Sequence, residues 1–430
     1  MIVWIDAAGV QAELRVFGLT VVERHLRALL KAAAKPEQII LELGTGGGDI
    51  RFPAELAARL NITHRRTPGD LAARLQPVLA EAAGRPLMLL DAHVLADSRL
   101  HDTLARLDHS TVVLAPKRKE AAAMVFLAPG HAIGDLLNAA VPDVNGLAHR
   151  LIEAQRAAPL ADAEFNGFIR KLRRTLPYYL FRIDSARKAA KVERFMFWSN
   201  YKGSTDLFTR YVYPPLVWLL VRPLARWRVH PNLVTLASIL LAFGAIPLWM
   251  HGEFLVGFIM AYAMSVLDSV DGKLARLTFT DSRLGNFLDH GLDMVHPPMW
   301  YVVWAYGLGI GVEGWDTALG RAAVAVVVFY VLDRLILKIY PRFFQRAFHT
   351  HSRLDGRVRS FIARRNISLP VFMVGYFAGL GREAFYLIVA WQIATALYHG
   401  TRTFWILAVQ RAHRKGHRPT DVAGAVADLD

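Results

Sequence analysis

Four aspartates stand close together in the sequence as two pairs. Asp268 and Asp271 are three residues apart, and Asp289 and Asp293 are four apart. On helices, each spacing places its two carboxylates on one face. Four carboxylates facing one another would repel strongly without a cation between them. Oxygen ligands suit a hard divalent cation, Mg²⁺ or Mn²⁺. The stretch therefore predicts a metal centre built from two helices.

Small residues accompany the acids. Gly272 and Ala275 follow the first pair, and Gly285 precedes the second. Small side chains let another backbone or a flat ligand come close, and Arg276 offers a bidentate fork to a phosphate. A competing interpretation is a buried salt-bridge network that joins the aspartates to three arginines: Arg276, Arg283 and Arg334. Such a network does not account for the small residues.

Composition narrows the classes of protein. The chain has 430 residues, 54% of them hydrophobic, and 51 Lys and Arg against 36 Asp and Glu give a net charge of +15. This excludes a disordered or collagen-like chain. The absence of cysteine excludes disulfides, thiolate metal sites and a cysteine nucleophile. We find no zinc-finger spacing and no basic face interleaved with aromatics in a soluble segment, so we expect no nucleic acid partner.

The back half of the chain predicts a membrane domain. Between His230 and Glu253 there is no Asp, Glu, Lys or Arg, which is enough helix to cross a hydrocarbon core of about 30 Å. Five more spans are predicted, and several carry charges that must face one another. They begin near Phe254, Leu284, Ala322, Asn366 and Ala384.

Loop charges orient these six spans. Lys and Arg concentrate before the first span, after the fourth and in the tail, at residues 222–228, 338–365 and 411–418. The opposite loops are poor in both, so the positive-inside rule places both termini in the cytoplasm. The N-terminus shows no secretion signal. We expect a multi-pass protein of the cytoplasmic (inner) membrane.

The front half alternates short apolar runs with helical patterns. Strands are predicted at 2–5, 39–43, 87–90 and 111–114, and helices at 21–34 and 71–83. This alternation predicts a three-layer α/β domain with a largely parallel sheet. The expected organisation is a cytosolic α/β domain at 1–180, a linker with an interfacial amphipathic helix at 181–229, an all-α membrane domain at 230–412 and a cytosolic tail at 413–430.

The acidic stretch resembles a known family. Asp268-x-x-Asp271-Gly272-x-x-Ala275-Arg276, then eight residues, then Gly285-x-x-x-Asp289-x-x-x-Asp293 is similar to the signature of the CDP-alcohol phosphotransferases. The resemblance implies six transmembrane helices, with the signature on the second and third, and a homodimer. It also implies transfer of a phosphoalcohol from a CDP-linked donor to an acceptor hydroxyl, with release of CMP, in phospholipid synthesis.

The same resemblance implies roles for the matching residues. The four aspartates would hold two cations, Mg²⁺ or Mn²⁺, as a two-metal clamp, with Asp293 also the general base. Gly272, Ala275 and Gly285 would make room for cytidine, and Arg276 would support the phosphates. His290 and His296 lie nearby. For His290 we favour packing or hydrogen bonding beside Gly291 over metal ligation.

The sequence resembles two branches of the family, which use different acceptors. DGKLAR and LDHGLD resemble the branch that transfers aminoalcohol phosphates to a lipid alcohol. KGSTDLFTR, from Lys202 to Arg210, resembles the branch whose acceptor is inositol phosphate. Candidate acceptor-binding cations are Lys202, Arg210, Arg283 and Arg334. Arg334 stands beside Asp333, so it either forms an internal ion pair or holds an acceptor phosphate.

Two resemblances compete for the front domain. IILELGTGGG, with Glu42, Gly44, Gly46 and Gly48, resembles the glycine turn of a methyltransferase. The opening strand and LMLLDAHVLADSRL resemble a sugar nucleotidyltransferase, with Asp91 as its metal-binding aspartate. Its triphosphate loop needs glycines and cations, whereas residues 7–13 hold one glycine and no cation. We expect a nucleotidyltransferase-like domain that has lost catalysis and docks, binds a ligand or positions the membrane domain.

Two other functions compete with the enzyme. A catalytically silent membrane scaffold, whose front domain binds a partner or a ligand, would not need all eight signature positions intact. A transporter using the intramembrane acids would not release CMP, and the sequence shows no pair of inverted halves. We therefore expect an enzyme.

Overall fold

The chain folds into two compact units. The computed structural model describes residues 1–430 except 10–13, 46–49, 51, 83, 118–119, 131–132, 139–140, 170, 204 and 417–430, and except the side chains of 138, 286, 289, 290, 292, 293 and 412–416. The first unit comprises Met1–Arg170, Arg174–Asn200 and Leu277–Phe279. The second comprises Lys171–Arg173, Tyr201–Arg276 and the chain from Thr280 onward. The domain boundaries expected at 180, 229 and 412 stay predictions.

A seven-stranded sheet forms the centre of the first unit. Its spatial order is Ala158–Pro159, Thr111–Leu114, Ala123–Leu127, Leu87–Asp91, Ile2–Asp6, Gln38–Glu42 and Ile62–Arg65. The four strands expected from apolar runs are confirmed to within a residue or two. Ala123–Leu127 runs antiparallel to both neighbours, while the other described pairings are parallel. The sheet is therefore mixed, with its parallel part around Ile2–Asp6.

Helices cover both faces of this sheet. Val3 and Ile5 of the opening strand join one buried cluster, and Ile2 and Trp4 join another. Successive side chains of a strand point to opposite faces, so the two clusters are the two interlayer cores of the expected three-layer α/β domain. The helices are Val21–Lys31, Ala54–Arg59, Leu71–Glu81, Ser98–Leu104, Val144–Glu153 and Ala186–Ser199, with a 3-10 turn at Gly134–Asn138.

Three short pairs of strands complete the first unit. They are Arg15–Val16 with Leu19–Thr20, Val94–Ala96 with Leu180–Arg182, and Phe168–Ile169 with Arg174–Thr175. All three pairs are antiparallel.

The described part of the second unit is helical. After a π-helical turn at Phe208–Val212, its long helices are Tyr213–Arg226, Pro231–Met250, Phe254–Thr278, Arg283–Ala305, Ala318–Phe344, Arg365–Phe377 and Gly381–Gly416. Short helical turns lie at Tyr306–Ile310, Gly311–Glu313, Phe348–Thr350 and Arg353–Val358. The last six long helices stand where the six spans were predicted.

Only part of the span prediction is supported by helix length and composition. Pro231–Met250 and Phe254–Thr278 are long and apolar enough to cross a membrane. Arg365–Phe377, at the predicted fifth span, has 13 residues, a helix of about 20 Å. That is shorter than the hydrocarbon core of about 30 Å. Six membrane crossings therefore remain a prediction.

A tight helical hairpin joins the two apolar helices. Residues 251–253 connect them, and the fully buried ring of Trp249 packs against Gly257. A Cβ at position 257 would lie 2.4 Å from Nε1 of Trp249, closer than real packing allows. Trp249 also packs edge to face against Trp300 and Trp304. Gly257 therefore lets the ring of Trp249 pack directly on the backbone of the next helix, where this ring lies at the centre of an aromatic cluster.

Candidate active site

The first acidic pair lies on the helix Phe254–Thr278. Asp271 is 4% exposed, and its Oδ2 accepts a hydrogen bond of 2.6 Å from Oγ1 of Thr235 on the preceding helix. Its Oδ1 accepts from the backbone N–H of Gly272 over 2.5 Å. Asp268, three residues earlier, keeps 23% of its side chain exposed. The helix Pro231–Met250 therefore orients the carboxylate of Asp271 through Thr235.

Arg365, at the start of Arg365–Phe377, holds the other carboxylate. Its Nη2 donates to Oδ2 of Asp268 over 2.8 Å, and its Nη1 donates to Nε2 of His296 over 2.7 Å. Because guanidinium only donates, Nε2 of His296 is the acceptor and carries no proton there. The ring of His296 also packs edge-on against Trp300. His296 thus acts as a hydrogen-bond partner of Arg365.

The second acidic pair is placed by its backbone. Asp289 and Asp293 lie four apart on Arg283–Ala305, whose N-terminus is capped by Ser282 Oγ accepting from the N–H of Gly285 over 2.9 Å. The side chains of Asp289, His290 and Asp293 lie outside the described part. Among the side chains that are described, no group of three or more His, Asp or Glu is placed to hold a metal ion.

The carboxylates that are described fit a hard cation. Asp268 and Asp271 offer oxygen atoms on one helix face, and both are oriented by neighbouring helices. Such oxygens suit Mg²⁺ or Mn²⁺. A narrow cavity lies against Asp268, with Thr235, Ser238, His296 and Arg365 on its polar wall. Metal binding and the second pair's part in it stay predictions.

The small signature residues make close contacts. A Cβ at Gly272 would lie 3.2 Å from Nη1 of Arg276. A Cβ at Gly285 would lie 2.7 Å from Oδ1 of Asn232 on Pro231–Met250. Gly285 therefore lets the helices Pro231–Met250 and Arg283–Ala305 pack closely. Ala275 and Arg276 are half-buried, and the nucleotide roles of all four residues remain predictions.

The predicted acceptor cations do not share one environment. Lys202, Arg210 and Arg283 are exposed, and Arg210 lies over the ring of Tyr211. Arg334 is half-buried, with its guanidinium 4.8 Å from the ring centroid of Tyr330. Of the two alternatives for Arg334, the ion pair with Asp333 is not formed in the described part of the chain, where the buried carboxylate of Asp333 instead accepts from Nδ1 of His399.

Arg334 lies in a group with Arg359 and Arg364, two arginines that the sequence analysis did not distinguish from the rest of the basic connection at 338–365. Within the described chain, the buried Nε atoms of Arg334, Arg359 and Arg364 have no hydrogen-bond partner. Burial and the charge of Arg334 lower the pKa of Arg364 to about 10. Burial and the charge of Arg364 also lower the pKa of Arg359. Mutual repulsion of this kind favours an anion between the arginines.

The KGSTDLFTR segment is anchored beside Arg365. The buried Asp206 accepts from N and Oγ1 of Thr209, each over 2.9 Å. Nδ2 of Asn366 donates to Oγ1 of Thr209 over 3.1 Å. Asp206 and Thr209 therefore connect the segment to Asn366 at the start of Arg365–Phe377. The spacing of residues within the segment does not predict this contact.

Three carboxylates line one edge of the sheet in the first unit. In the parallel register, Asp6 stands opposite both Glu42 and Asp91, so the strands bring all three to their carboxyl ends. Arg74 donates to Asp6 over 2.8 Å and Arg182 donates to Asp91 over 3.1 Å. Two of the three carboxylates at this edge, those of Asp6 and Asp91, are therefore paired with arginines.

Asp91 is the predicted metal-binding aspartate of this edge. It accepts from the backbone N–H of His93 over 2.8 Å, besides its bond to Arg182. Burial would raise the pKa of Asp91, but the His93 hydrogen bonds and the Arg182 charge outweigh it and lower that pKa. Gly44 of the glycine turn has φ +62°. Gly46, Gly48 and residues 10–13 of the opening loop lie outside the described part.

The sequence model of the CDP-alcohol phosphatidyltransferase family matches residues 228–397. These residues form a CDP-alcohol phosphatidyltransferase domain. The domain includes both aspartate pairs, Arg365 and the arginine group, but not Lys202 or Arg210, which precede it.

Two curated proteins are similar to parts of the chain. An archaetidylinositol phosphate synthase of Aeropyrum pernix is 36% identical over 78 residues, 18% of this chain and 40% of that protein. An uncharacterized CDP-alcohol phosphatidyltransferase class-I family protein of Schizosaccharomyces pombe is 28% identical over 115 residues, 23% of this chain and 29% of that protein. The chain thus spans less than half the length of each relative.

A solved structure of UDP-glucose pyrophosphorylase complexed with UDP-glucose aligns with 46% of this chain and 99% of its own, at 11% identity and a TM-score of 0.31.

Proposed function

We propose that this chain is a membrane enzyme of phospholipid synthesis that transfers a substituted phosphate from a CDP-linked donor to an acceptor hydroxyl. The hydroxyl oxygen bonds to the donor phosphorus that carries the alcohol, and the bond from that phosphorus to the bridging oxygen of CMP breaks. CMP leaves with the bridging oxygen, and the hydroxyl proton passes to a base. The match of residues 228–397 to the family supports this reaction class.

The four aspartates hold two divalent cations in this proposal, Asp268 and Asp271 from one helix and Asp289 and Asp293 from the next. Bound cations would neutralise the pyrophosphate and the charge developing on CMP. Arg365 and Thr235 keep the first pair aimed at the site, which their hydrogen bonds to Asp268 and Asp271 support. Asp293 takes the acceptor proton.

The nucleotide side of the site uses the remaining signature residues. Gly272, Ala275 and Gly285 leave room for cytidine, and Arg276 binds the phosphates through its fork. The 3.2 Å separation between a Cβ at position 272 and Nη1 of Arg276 supports this. A side chain at that position would compete with any ligand of the guanidinium.

The acceptor is a phosphate ester in this proposal. The buried arginine group Arg334, Arg359 and Arg364 supports it, since three mutually repelling guanidinium groups are stabilised by an anion. The relative named archaetidylinositol phosphate synthase points the same way. A diacylglycerol acceptor would leave these charges without a ligand. Lys202, Arg210 and Arg283 guide the anionic acceptor from the exposed surface.

The second unit crosses the cytoplasmic membrane six times in this proposal, with both termini in the cytoplasm and a homodimer as its assembly. The two long apolar helices and the basic connection at 338–365 support it. The first unit is a nucleotidyltransferase-like domain that has lost catalysis. The ion pairs that Arg74 and Arg182 make with Asp6 and Asp91 support this loss.

Metal-dependent CMP release tests the reaction. The detergent-solubilised full chain is assayed with Mg²⁺ or Mn²⁺ over CDP-diacylglycerol, CDP-choline, CDP-ethanolamine and CDP-inositol, each with phosphorylated and unphosphorylated acceptors. CMP release from one pair, abolished in a folded Asp289→Asn variant, is the expected result. Absence of both CMP release and donor binding would favour the membrane scaffold. Substrate flux without CMP release would favour a transporter. Retained turnover in Asp289→Asn would refute the two-metal site.

A further inference from the structure

The helix Ala186–Ser199 has two faces of different chemistry. Ser185 caps its N-terminus by accepting from the N–H of Lys188. Its buried residues are Ala189, Val192, Glu193, Met196 and Phe197. Glu193 lies on that buried face, where its carboxylate accepts a hydrogen bond of 2.9 Å from the backbone N–H of Phe17. The only acidic side chain of the helix is therefore turned inward.

The opposite face is a stripe of cations and aromatic rings. Its five exposed residues stand at helical spacing: Arg187, Lys191, Arg194, Phe195 and Trp198. Phe195 is 42% and Trp198 48% exposed. Within the described chain, the three cations of this stripe make no ion pair, whereas Lys188, just beside it, bridges Asp184 and Glu120.

A shallow groove of about 500 Å³ runs along the stripe. Lys191, Arg194, Phe195 and Trp198 line it together with Arg174 and Ser199. Arg174 comes from the short strand pair that also exposes Phe168 at 51%. Cations and aromatic rings from two separate elements therefore meet on one exposed surface of the first unit.

We propose that this stripe and groove dock on the anionic headgroups of a lipid bilayer. Lys and Arg are attracted to anionic lipid, and Trp and Phe bury their rings at the headgroup level. An acidic protein would match the charges, but it would not require two half-exposed aromatic rings among them. The stripe is also tethered near a bilayer, since 31 residues, 200–230, separate Ser199 from the apolar helix that begins at Pro231.

The docking holds the first unit against the membrane surface. It rests on the proposed membrane location of the second unit but not on the transfer reaction. Three cations at an anionic surface would favour the docked state by on the order of a hundredfold over a surface without charge. Docking should therefore depend on lipid charge and on salt.

Fluorescence of the full chain in nanodiscs tests the docking. The chain has no cysteine, so Ser199→Cys labelled with an environment-sensitive dye reports on the groove alone, and Ala57→Cys on an exposed helix serves as the reference position. We expect the Ser199 probe to shift to shorter wavelength, and to be quenched by spin-labelled lipid, in discs containing phosphatidylglycerol but not in discs of phosphatidylcholine. The Ala57 probe should not change.

Charge reversal provides the matched control. R187E, K191E and R194E together should abolish the shift, whereas reversal of three exposed cations elsewhere, K35E, R59E and R106E, should leave it intact. Equal emission in both lipids, or a shift that survives reversal of the stripe, would overturn the proposal. Failure of the parent chain and of all variants to enter discs would instead refute the membrane location of the second unit. CMP release that is unchanged in the stripe variant would show that the proposed transfer reaction does not depend on docking.

Discussion

Arg365 donates a hydrogen bond of 2.8 Å to Asp268, although the two residues stand 97 positions apart in the chain. The guanidinium is 9% exposed and forks between Asp268 and His296. An arginine in this position fixes the direction of a carboxylate that is proposed to bind a cation. The first acid of the signature is therefore oriented by a helix from outside the signature.

Replacing Arg365 by lysine keeps the charge but removes the planar fork. Since outer-shell partners of metal ligands typically contribute a factor of 10 to 100, we expect CMP release in Arg365→Lys to fall by roughly that factor. Binding of Mn²⁺, followed by its EPR signal, should weaken in parallel. Arg342→Lys, at an exposed position of Ala318–Phe344, is the control. Unchanged Mn²⁺ binding in Arg365→Lys would contradict a positioning role.

Removing Arg364 should separate acceptor binding from chemistry. The Arg364→Gln substitution leaves fewer cations for an acceptor phosphate, so we expect KM for a phosphorylated acceptor to rise about tenfold or more, with a smaller change in kcat. KM for the CDP-linked donor should stay the same. Steady-state CMP release with each substrate varied in turn measures both constants.

Exposed Arg342→Gln is the matched control for this experiment. If Arg364→Gln changed donor and acceptor KM equally, the arginine group would not be an acceptor site. A normal KM for the phosphorylated acceptor would remove the argument for a phosphate ester.

A buried histidine pair makes the first unit sensitive to acid. Nε2 of His25 contacts the carbonyl oxygen of Val94 over 2.8 Å, and its Nδ1 contacts Nε2 of His101 over 2.9 Å. The first contact requires a proton on Nε2 of His25, so Nδ1 accepts from His101. Burial lowers the pKa of His25 to about 4 and that of His101 to about 3. Both rings are therefore neutral in the folded unit.

The free energy of unfolding should fall as pH drops below about 6.5, the ordinary histidine pKa. Between about 6.5 and 4 the unfolded chain binds protons that the folded unit does not, so stability rises with pH in this window and is flat above it. Each histidine contributes a slope of roughly 1 kcal/mol per pH unit. Hydrogen exchange of the Ile2–Asp6 strand in the full chain, corrected for intrinsic rates, measures it.

His109 offers the comparison for this pH dependence, because its side chain is 45% exposed beside Asp108. His109→Gln should leave the pH profile of exchange unchanged, whereas His101→Gln should flatten part of it. A profile that is the same in all three proteins would exclude the histidine pair as its cause.

Filling the space at Gly257 should destabilise the second unit. Valine there would force its side chain into the ring of Trp249, which is fully buried. Overpacking of this kind costs roughly 1 to 3 kcal/mol. We expect a lower Tm for Gly257→Val in detergent, measured by loss of the monodisperse peak after heating. Gly400→Ala, where a Cβ would meet Ile336 at an ordinary 3.7 Å, should keep the parent Tm.

Local patterns in the sequence predicted the elements well. The strand Thr111–Leu114 and the helix that starts at Val21 follow directly from apolar periodicity. The i, i+3 and i, i+4 spacings also placed both aspartate pairs on helices. Local spacing cannot reveal partners from distant elements. Arg365, Thr235 and the ion pair of Arg182 with Asp91 all depend on tertiary packing.

The fifth predicted span shows a different limit. Apolar residues continue past Phe377 to Leu380, so hydropathy alone extends the span. The helix ends at Phe377, and the chain passes Gly379 at φ +76°, a backbone conformation that glycine adopts readily. Composition therefore predicted the apolar segment, whereas the turn decided the helix length.

The hairpin of Pro231–Met250 and Phe254–Thr278 has a consequence for biosynthesis. Its two helices follow each other after three residues and are held by Trp249 on Gly257 and by Thr235 on Asp271. All of these contacts lie within residues 231–278, which precede the second acidic pair in the chain and therefore emerge from the ribosome before it. The carboxylate of Asp271 therefore has its hydrogen-bond donor within its own hairpin, so the pairing of this buried acid does not depend on the later helices of the bundle.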